Sequence, residues 1–286
     1  MKKIRNSILL LMAFVGFNCY WIAFVCECYA RLWRWVQFGD YSILRGVMFE
    51  TIETCNRKCS YCPVKDMPLR TGRMSEELFE KITDELRDIG FNGDIYFMFY
   101  NEPLLDKRLP WFVETSKRKL PNSIHQVYSN GDFLDMEAYM KLDLAGVDSI
   151  SVTDHDNIPD AYTKFRDMPK VMFQHSKDLH FLNNRGGLVD VKQPHLGRVF
   201  LWLYKLFIGG CFQSAVPVIG YNGVVYLCCQ DALKSTNLGN LSKESFISIM
   251  ERSRSMRKTT MSGKFSLKMC KKCREIYGGF TNTRYP

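Results

Sequence analysis

Two groups of cysteines are the residues of this chain whose types and spacing could do chemistry. The first follows a C-x3-C-x2-C pattern and consists of Cys55, Cys59 and Cys62. Three thiolates on one loop can converge on a single metal centre, and three is one fewer than the four ligands that close a structural zinc site or a four-iron cluster. The fourth position would then be open to a small molecule. A zinc site completed by a distant histidine, or three unpaired structural thiols, are alternatives that this spacing leaves open.

The second group lies near the C-terminus and ends in a C-x2-C pair. Its members are Cys211, Cys228, Cys229, Cys270 and Cys273. Four such thiolates could hold either an iron-sulfur cluster or the inert zinc of a ribbon. No cysteine lies between Cys62 and Cys211, whereas secreted disulfide scaffolds are cysteine-dense throughout. The sequence therefore predicts metal ligation in a reducing compartment, the cytoplasm.

The residues around the first group carry a resemblance to a known family. The segment Cys55-Asn-Arg-Lys-Cys59-Ser-Tyr61-Cys62-Pro63 resembles the signature of the radical S-adenosylmethionine (SAM) superfamily. The resemblance implies that Cys55, Cys59 and Cys62 are the catalytic cluster ligands. They would hold a four-iron four-sulfur (4Fe-4S) cluster whose fourth iron chelates SAM, and reductive cleavage of SAM would give a 5'-deoxyadenosyl radical that takes hydrogen from a substrate. Tyr61 would lie against the adenine.

Further motifs follow in the order that this family shows. Where the family has a Gly-Gly-Glu-Pro turn, the chain reads Tyr100-Asn101-Glu102-Pro103, so the glutamate that contacts the methionine amine is kept and both glycines are lost. Ser129-Asn130-Gly131 resembles the ribose-proximal turn. The resemblance implies these cofactor-binding residues besides Tyr61: Asn101, Glu102, Ser129, Asn130, Ser151, Thr153 and Arg185. Arg185 would meet the cofactor carboxylate or a substrate anion.

The C-terminal cysteines resemble those of the auxiliary-cluster domain called SPASM in its long form and twitch in its short form. The matching pattern is Cys211, then Gly223-x4-Cys228, then Cys270-x2-Cys273. The long form needs seven cysteines for two clusters, so the resemblance implies one auxiliary 4Fe-4S cluster held by the four ligands Cys211, Cys228, Cys270 and Cys273. The choice between Cys228 and Cys229 stays open, although the Gly-x4-Cys spacing favours Cys228.

The two resemblances together imply a radical SAM oxidoreductase. A one-electron donor such as flavodoxin or ferredoxin would reduce the first cluster, and the auxiliary cluster would favour a net oxidation. The absence of a peptide-recognition domain favours a small or glycan-type substrate, and no nucleic-acid partner is expected. Two alternatives are a maturase that modifies a peptide or protein and a non-catalytic, membrane-tethered metal-cluster protein.

Alternating strands and helices must position these residues. Hydrophobic periodicity predicts strands at 47–52, 94–99, 124–128, 149–152, 171–175 and 179–182, with helices at 75–89, 109–119 and 136–144 between them. Such alternation is typical of a parallel sheet whose functional groups gather at the carboxyl ends of the strands. The predicted fold is α/β: a partial (β/α)6 radical SAM barrel followed by a small α+β auxiliary domain, with a hairpin at 216–227 and a helix at 243–252.

The predicted domains are 1–45, 46–190 and 205–286. The first is an apolar N-terminal helix, because residues 8–26 are apolar except for Asn18 and could cross a bilayer or lie in its surface. We interpret it as a membrane anchor on a cytoplasmic protein. A cleaved signal peptide and a helix buried against the domain are the alternatives. The net charge of +9 suits an acidic or anionic partner but selects none.

Overall fold

The computed structural model describes residues 44–68, 70–156, 161–175, 184–189 and 211–273, together with Leu32, Trp35 and Val36. The apolar run 8–26 and the predicted strand 179–182 lie outside these residues. Across the described ranges, no helix has the length and apolar character needed to cross a membrane.

The first half of the described chain is a parallel sheet with helical crossovers. Its strands are β1 (Gly46–Phe49), β2 (Asp94–Phe97), β3 (His125–Ser129), β4 (Ser149–Asp154) and β5 (Val171–His175), paired in the order β5-β4-β3-β2-β1. The crossover helices are α1 (Glu76–Asp88), α2 (Leu109–Lys119) and α3 (Met136–Leu144). The predicted α/β fold is confirmed. Thr153 and Asp154, expected just after the fourth strand, form its last two residues.

The two faces of the sheet differ because successive side chains of a strand point to opposite sides. One face packs against the helices, where Phe79 of α1 contacts both Phe49 and Phe112. The opposite face, here called the inner face, holds a second and smaller cluster that includes Met48 and Tyr226. The polar side chains of Ser151 and Thr153 also lie on this inner face.

Side-chain caps fix where the helices begin. The Ser75 hydroxyl accepts a hydrogen bond from Leu78 N at 3.2 Å, and an Asp135 carboxylate oxygen accepts one from Ala138 N at 2.8 Å. Each bond satisfies one of the amide groups that an α-helix leaves unpaired at its first turn. The predicted bounds of α2 and α3 match those in the structure.

The second half continues the same sheet. Strand β7 (Val224–Tyr226) pairs antiparallel with both β6 (Val218–Ile219) and β8 (Asn237–Asn240), and β6 pairs in parallel with β1 to give one eight-stranded sheet. The hairpin turn uses Gly223 at a φ of +79°, where a Cβ atom would lie 3.0 Å from Asn240 Oδ1. The sequence therefore needs glycine at this turn.

Two helices complete this half: α4 (Phe246–Met261) and α5 (Lys268–Lys272). The predicted bounds 243–252 for the first of them were wrong at both ends. The helix begins later because the Ser245 hydroxyl caps it, accepting from Ser248 N at 3.3 Å. It continues past 252 because the polar residues Ser253, Arg257 and Thr260 are buried against the rest of this half.

Side-chain contacts also join the halves. Lys234, at a φ of +55°, places its ammonium group 2.7 Å from Glu50 Oε2 and in contact with the Glu53 carboxylate. Glu85 of α1 accepts a hydrogen bond from Phe246 N, the first amide of α4, at 2.6 Å. Lys81 Nζ donates to Leu241 O at 2.7 Å. The auxiliary half is thus fixed to both the sheet and α1.

Candidate active site

The first cysteine group lies on the loop that follows β1. Cys55, Cys59 and Cys62 are all partly buried, and Cys62 N donates to Cys59 O at 2.9 Å in a tight turn. Burial raises the pKa of Cys55, and the neighbouring Cys62 and Cys59 thiols raise it further. The three thiols are therefore within electrostatic reach of one another, and their role as ligands of one centre stays a prediction.

Glu102 follows β2 and is buried, with 1% of its surface exposed. Its carboxylate accepts hydrogen bonds from Ser129 Oγ at 2.8 Å, Asn130 N at 2.8 Å and Leu104 N at 3.1 Å. Burial raises its pKa to about 7, although these donors oppose the rise. Glu102 thus connects the carboxyl ends of β2 and β3, and its remaining lone pair could accept from an amine.

The two residues before Glu102 replace the glycines that the family usually has. The hydroxyl of Tyr100 and both amide atoms of Asn101 are buried and have no hydrogen-bond partner among the described residues. Buried polar atoms without partners are costly and uncommon in folded proteins. These three atoms therefore fit a bound molecule that supplies both donors and acceptors.

A polar network ties the cysteine loop to the next strand ends. Asn130 Nδ2 donates to Asn56 Oδ1 at 2.9 Å, and Asn56 Nδ2 donates to Asp132 Oδ2 at 2.6 Å. Arg57 pairs with Asp132 and with Asp156, which follows β4. Sequence reasoning missed Asn56, Arg57 and Asp132. The available signal was their position, since they lie beside the predicted ligands and after a predicted strand.

Three further cofactor-site candidates, Tyr61, Ser151 and Thr153, either lie on β4 or contact the residue that follows it. The Tyr61 hydroxyl contacts His155 Nδ1, so this tyrosine reaches the end of β4. Ser151 and Thr153 alternate along β4 with Ile150 and Val152, which pack on the helical face. Ser151 and Thr153 therefore lie on the inner face.

Arg185 lies on a turn within residues 184–189 and has a φ of +47°. Its guanidinium carbon is 6.0 Å from the centre of the Tyr100 ring. Burial raises the pKa of Tyr61, the Cys59 thiol adds to that rise, and Arg185 opposes it. Asn184 Nδ2 donates to Lys272 O at 2.8 Å and so joins this turn to α5. Arg185 therefore lies between the first cysteine loop and the auxiliary half.

The C-terminal cysteines form a second group of neighbouring thiols. Burial raises the pKa of Cys228 well above its ordinary value, and the nearby Cys229, Cys211 and Cys273 thiols raise it further. Cys270 is buried within α5, one turn before Cys273, and Asp231 is its electrostatic neighbour.

The loop after Cys228 is held by Asp231. This carboxylate accepts from Ser235 N at 2.8 Å and from Thr236 N at 2.7 Å. None of the eight described cysteines forms a disulfide. Within the described ranges, no three His, Cys, Asp or Glu side chains converge closely enough to hold a single metal ion. A donor set made only of thiols is nevertheless the one that iron-sulfur clusters use.

Thiols of both cysteine groups act electrostatically on Tyr100. Burial raises the pKa of this tyrosine strongly, and Arg185 opposes the rise. The thiols that raise it further come from both groups: Cys229, Cys62 and Cys228. A molecule bound at the Tyr100 hydroxyl would therefore face both groups.

Comparison with known proteins identifies the family. Residues 49–170 match the model of the radical SAM superfamily, and residues 211–274 match that of an iron-sulfur cluster-binding domain, SPASM. The chain is 31% identical to the S-adenosyl-L-methionine-dependent 2-deoxy-scyllo-inosamine dehydrogenase of Niallia circulans over 242 residues. The matched region covers 79% of this chain and 91% of that relative. The chain belongs to the radical SAM superfamily. It is an oxidoreductase of this superfamily, and its cofactors are SAM, the 4Fe-4S cluster that binds SAM, and an auxiliary cluster.

Solved structures agree with this assignment. The crystal structure of BtrN in complex with AdoMet and 2-DOIA superposes with a TM-score of 0.72 at 26% identity, over 82% of this chain and 94% of that one. BtrN in an open conformation gives a TM-score of 0.62 at 24% identity, which supports the fold. The predicted family, fold class and cofactors of this radical SAM enzyme are confirmed. The roles of individual residues stay predictions.

Proposed function

We propose that this radical SAM enzyme is a dehydrogenase that oxidises a hydroxyl group of a small polar molecule, such as a cyclitol or a sugar. The observation that carries the proposal concerns Tyr100, a buried residue whose hydroxyl has no hydrogen-bond partner among the described residues and which lies within electrostatic reach of both cysteine groups. A substrate held there would be within reach of the SAM-binding cluster and the auxiliary cluster together.

The cysteine loop after β1 would hold the SAM-binding cluster through Cys55, Cys59 and Cys62. When bound and reduced, this cluster supplies the electron that cleaves SAM to methionine and a 5'-deoxyadenosyl radical, which takes a hydrogen atom from the substrate. The inner face and the strand ends would hold SAM through Tyr61, Asn101, Glu102, Ser129, Asn130, Ser151 and Thr153. Three donors already fix the Glu102 carboxylate, so its remaining lone pair would accept a hydrogen bond from SAM without movement of the side chain.

The auxiliary half would hold its cluster through Cys211, Cys228, Cys270 and Cys273. Cys228 is preferred to Cys229 because the Gly223-x4-Cys228 spacing matches the pattern of the auxiliary-cluster domain. When bound, the auxiliary cluster would accept one electron. The alcohol thus becomes a ketone by losing a hydrogen atom to the deoxyadenosyl radical, an electron to this cluster and a proton to solvent. Arg185 would orient the substrate beside Tyr100.

The hydroxyl of Tyr100, which is buried and has no hydrogen-bond partner among the described residues, suits a substrate that itself carries hydroxyl groups. A hydroxyl group both donates and accepts hydrogen bonds, so a hydroxyl of a polyol could pair with it in either direction. The N. circulans relative, whose name makes it a dehydrogenase of an amino-substituted cyclitol, supports this substrate class.

Partners and location follow from the same proposal. A flavodoxin or ferredoxin would deliver the first electron.

The apolar run 8–26 would attach the enzyme to a membrane. Deletion of residues 1–45 should then move the protein from the membrane pellet to the supernatant after cell fractionation. A truncated protein that stays in the pellet would contradict the anchor.

The deciding experiment combines metal content with product analysis after anaerobic reconstitution. The parent protein should contain about eight irons, and a Cys55→Ala/Cys59→Ala/Cys62→Ala variant about four. Cys229→Ala should keep about eight and serves as the matched control. With a panel of cyclitols and sugars, a substrate should give 5'-deoxyadenosine and ketone in equal amounts. Retained zinc with only about four irons in the parent would remove the argument for oxidation.

A further inference from the structure

Arg57 lies between the first two cysteines of the loop and joins that loop to two other strand ends. Its Nε donates to Asp132 Oδ2 at 2.8 Å, and its Nη2 donates to the other oxygen of the same carboxylate. Its Nη1 donates to Asp156 Oδ2 at 2.6 Å. The pair with Asp132 is bidentate, a geometry that fixes orientation as well as distance.

Neighbouring amides reinforce this connection. Asn56 donates to Asp132 Oδ2 at 2.6 Å and accepts from Asn130 Nδ2 at 2.9 Å. Asp132 N in turn donates to Asn130 Oδ1 at 3.0 Å. Because Asn130 N also donates to Glu102, the network reaches the ends of β2, β3 and β4 from the loop after β1.

A salt bridge at a protein surface often contributes little, so the ion pairs alone would not assign a role. Arg87 of α1 shows the ordinary case: it pairs with Asp84 and Asp88 of the same helix and is half exposed. Arg57 differs because its side chain is 21% exposed and its partners lie 75 and 99 residues away in the chain. It joins separate elements, whereas Arg87 joins residues of one helix.

Charge gives Arg57 a second effect. The guanidinium faces two carboxylates, so the three groups carry a net charge of about −1, and without Arg57 the charge would be about −2. Arg57 lies two residues from both Cys55 and Cys59, so its charge and those of its two partner carboxylates are close to the proposed cluster ligands. Reduction adds an electron to a cluster, so extra negative charge nearby disfavours it.

We propose that Arg57 is a positioning residue for the SAM-binding cluster: it holds the cysteine loop against the ends of β3 and β4 and makes the cluster easier to reduce. This inference rests on the proposed assignment of Cys55, Cys59 and Cys62 as ligands. It assigns to Arg57, Asp132 and Asp156 a role in the redox step that is separate from SAM contact.

The test is a redox titration of the reconstituted full-length protein, followed by electron paramagnetic resonance with and without SAM. The signal that changes on SAM addition identifies the cluster. In Arg57→Gln, the ratio of reduced to oxidised cluster at the parent's midpoint should fall at least tenfold, a shift of about 59 mV for a one-electron couple. The triple variant Arg57→Gln/Asp132→Asn/Asp156→Asn leaves the network with a net charge of zero, against about −1 in the parent, so its ratio should equal or exceed that of the parent.

Two further variants separate charge from geometry. Arg57→Lys keeps the charge but loses the bidentate pair, so the ratio should stay within about threefold of the parent while the SAM-induced change in the signal becomes smaller. Arg87→Gln is the control and should match the parent in every measurement.

The outcomes are distinguishable. An Arg57→Gln protein with full iron content and a parent-like ratio would overturn the inference. If Arg57→Gln binds less iron, Arg57→Lys decides, because a tenfold fall in that variant would overturn the role of charge. If the SAM-responsive signal is still present in the Cys55→Ala/Cys59→Ala/Cys62→Ala variant, the proposed function is overturned, and this inference with it.

Discussion

The residues around the cysteine loop show which contacts sequence patterns can predict and which they cannot. Glu102 was predicted to contact SAM. In the structure it follows β2, and its carboxylate already accepts hydrogen bonds from Ser129, Asn130 and Leu104. The ion pairs of Arg57 were not predicted, because Asp132 and Asp156 are distant in sequence and charged residues in loops are usually solvated. Spacing identifies ligands of one centre, whereas pairing across strand ends depends on how the sheet is assembled.

Tyr100→Phe should separate substrate binding from folding. An unpaired buried hydroxyl is costly and this one has no partner among the described residues, so its removal should leave the free energy of unfolding unchanged or raise it by up to about 1–3 kcal/mol. Substrate-dependent formation of 5'-deoxyadenosine should fall at least about tenfold, because in the proposed complex this hydroxyl pairs with the substrate. Urea denaturation and product analysis measure the two effects. A loss of stability above about 1 kcal/mol would show that the hydroxyl has a partner in the free protein.

Glu102 should make stability depend on pH in a definite direction. Burial raises its pKa from 4.5 to about 7, so the folded protein holds the proton more tightly than the unfolded chain between those values. The contribution is fully present below pH 4.5 and is lost as pH rises through about 7, amounting to about 3 kcal/mol.

The measurement is urea denaturation at several pH values between 5 and 8. In Glu102→Gln, which does not titrate, the part of the pH dependence that belongs to this carboxyl group should vanish. Glu137→Gln, on the exposed surface of α3, should keep the parent's dependence. The prediction fails if parent and Glu102→Gln lose stability equally over this range.

At the scale of elements, apolar periodicity predicted well where packing alone decides. The bounds of α2 and α3 and the strand Val171–His175 match the prediction. The helix α4 was mispredicted because its second half buries polar residues, among them Arg257, which donates to Met250 O at 3.0 Å. Hydrophobic patterns do not detect such burial. The pairing of β6 with β1 was also missed, since a two-residue strand carries too little pattern to identify its partner.

Glu85 should act as a remote cap for α4. It accepts from Phe246 N, an amide of the first turn that lacks a partner within its own helix. Glu85→Ala should cost about 1 kcal/mol of stability and speed hydrogen exchange at the first turn of α4. Glu80→Ala on the same helix is the control and should leave exchange in α4 unchanged. Unchanged protection in Glu85→Ala would mean that another group caps this turn.

At the scale of the whole molecule, the two cluster-bearing halves share one sheet and one buried ion group. Glu50 is fully buried, and Lys234 from the auxiliary half is the cation that neutralises it. Lys234 is 17% exposed and also lies 5.2 Å from the centre of the Tyr221 ring. The relative position of the halves therefore depends on a charge that would be costly to leave unpaired.

Lys234→Met should destabilise the protein by about 3 kcal/mol because it leaves the Glu50 carboxylate buried without its partner. A second change, Glu50→Gln, should restore much of that loss in the double variant. Urea denaturation of the parent, the two single variants and the double variant gives the coupling energy directly. Additive effects of the two changes would show that the ion pair does not join the halves.

The order of strands in the sheet also governs how the chain is made. Phe49 of β1 pairs with Ile219, which leaves the ribosome roughly 170 residues later. At about 5–20 residues per second, one edge of β1 stays uncovered for roughly 10–30 s. An uncovered edge strand readily pairs with other chains. Nascent copies of this enzyme would therefore be most prone to aggregate before the hairpin is synthesised, and a chain that stops before residue 211 would keep that edge permanently.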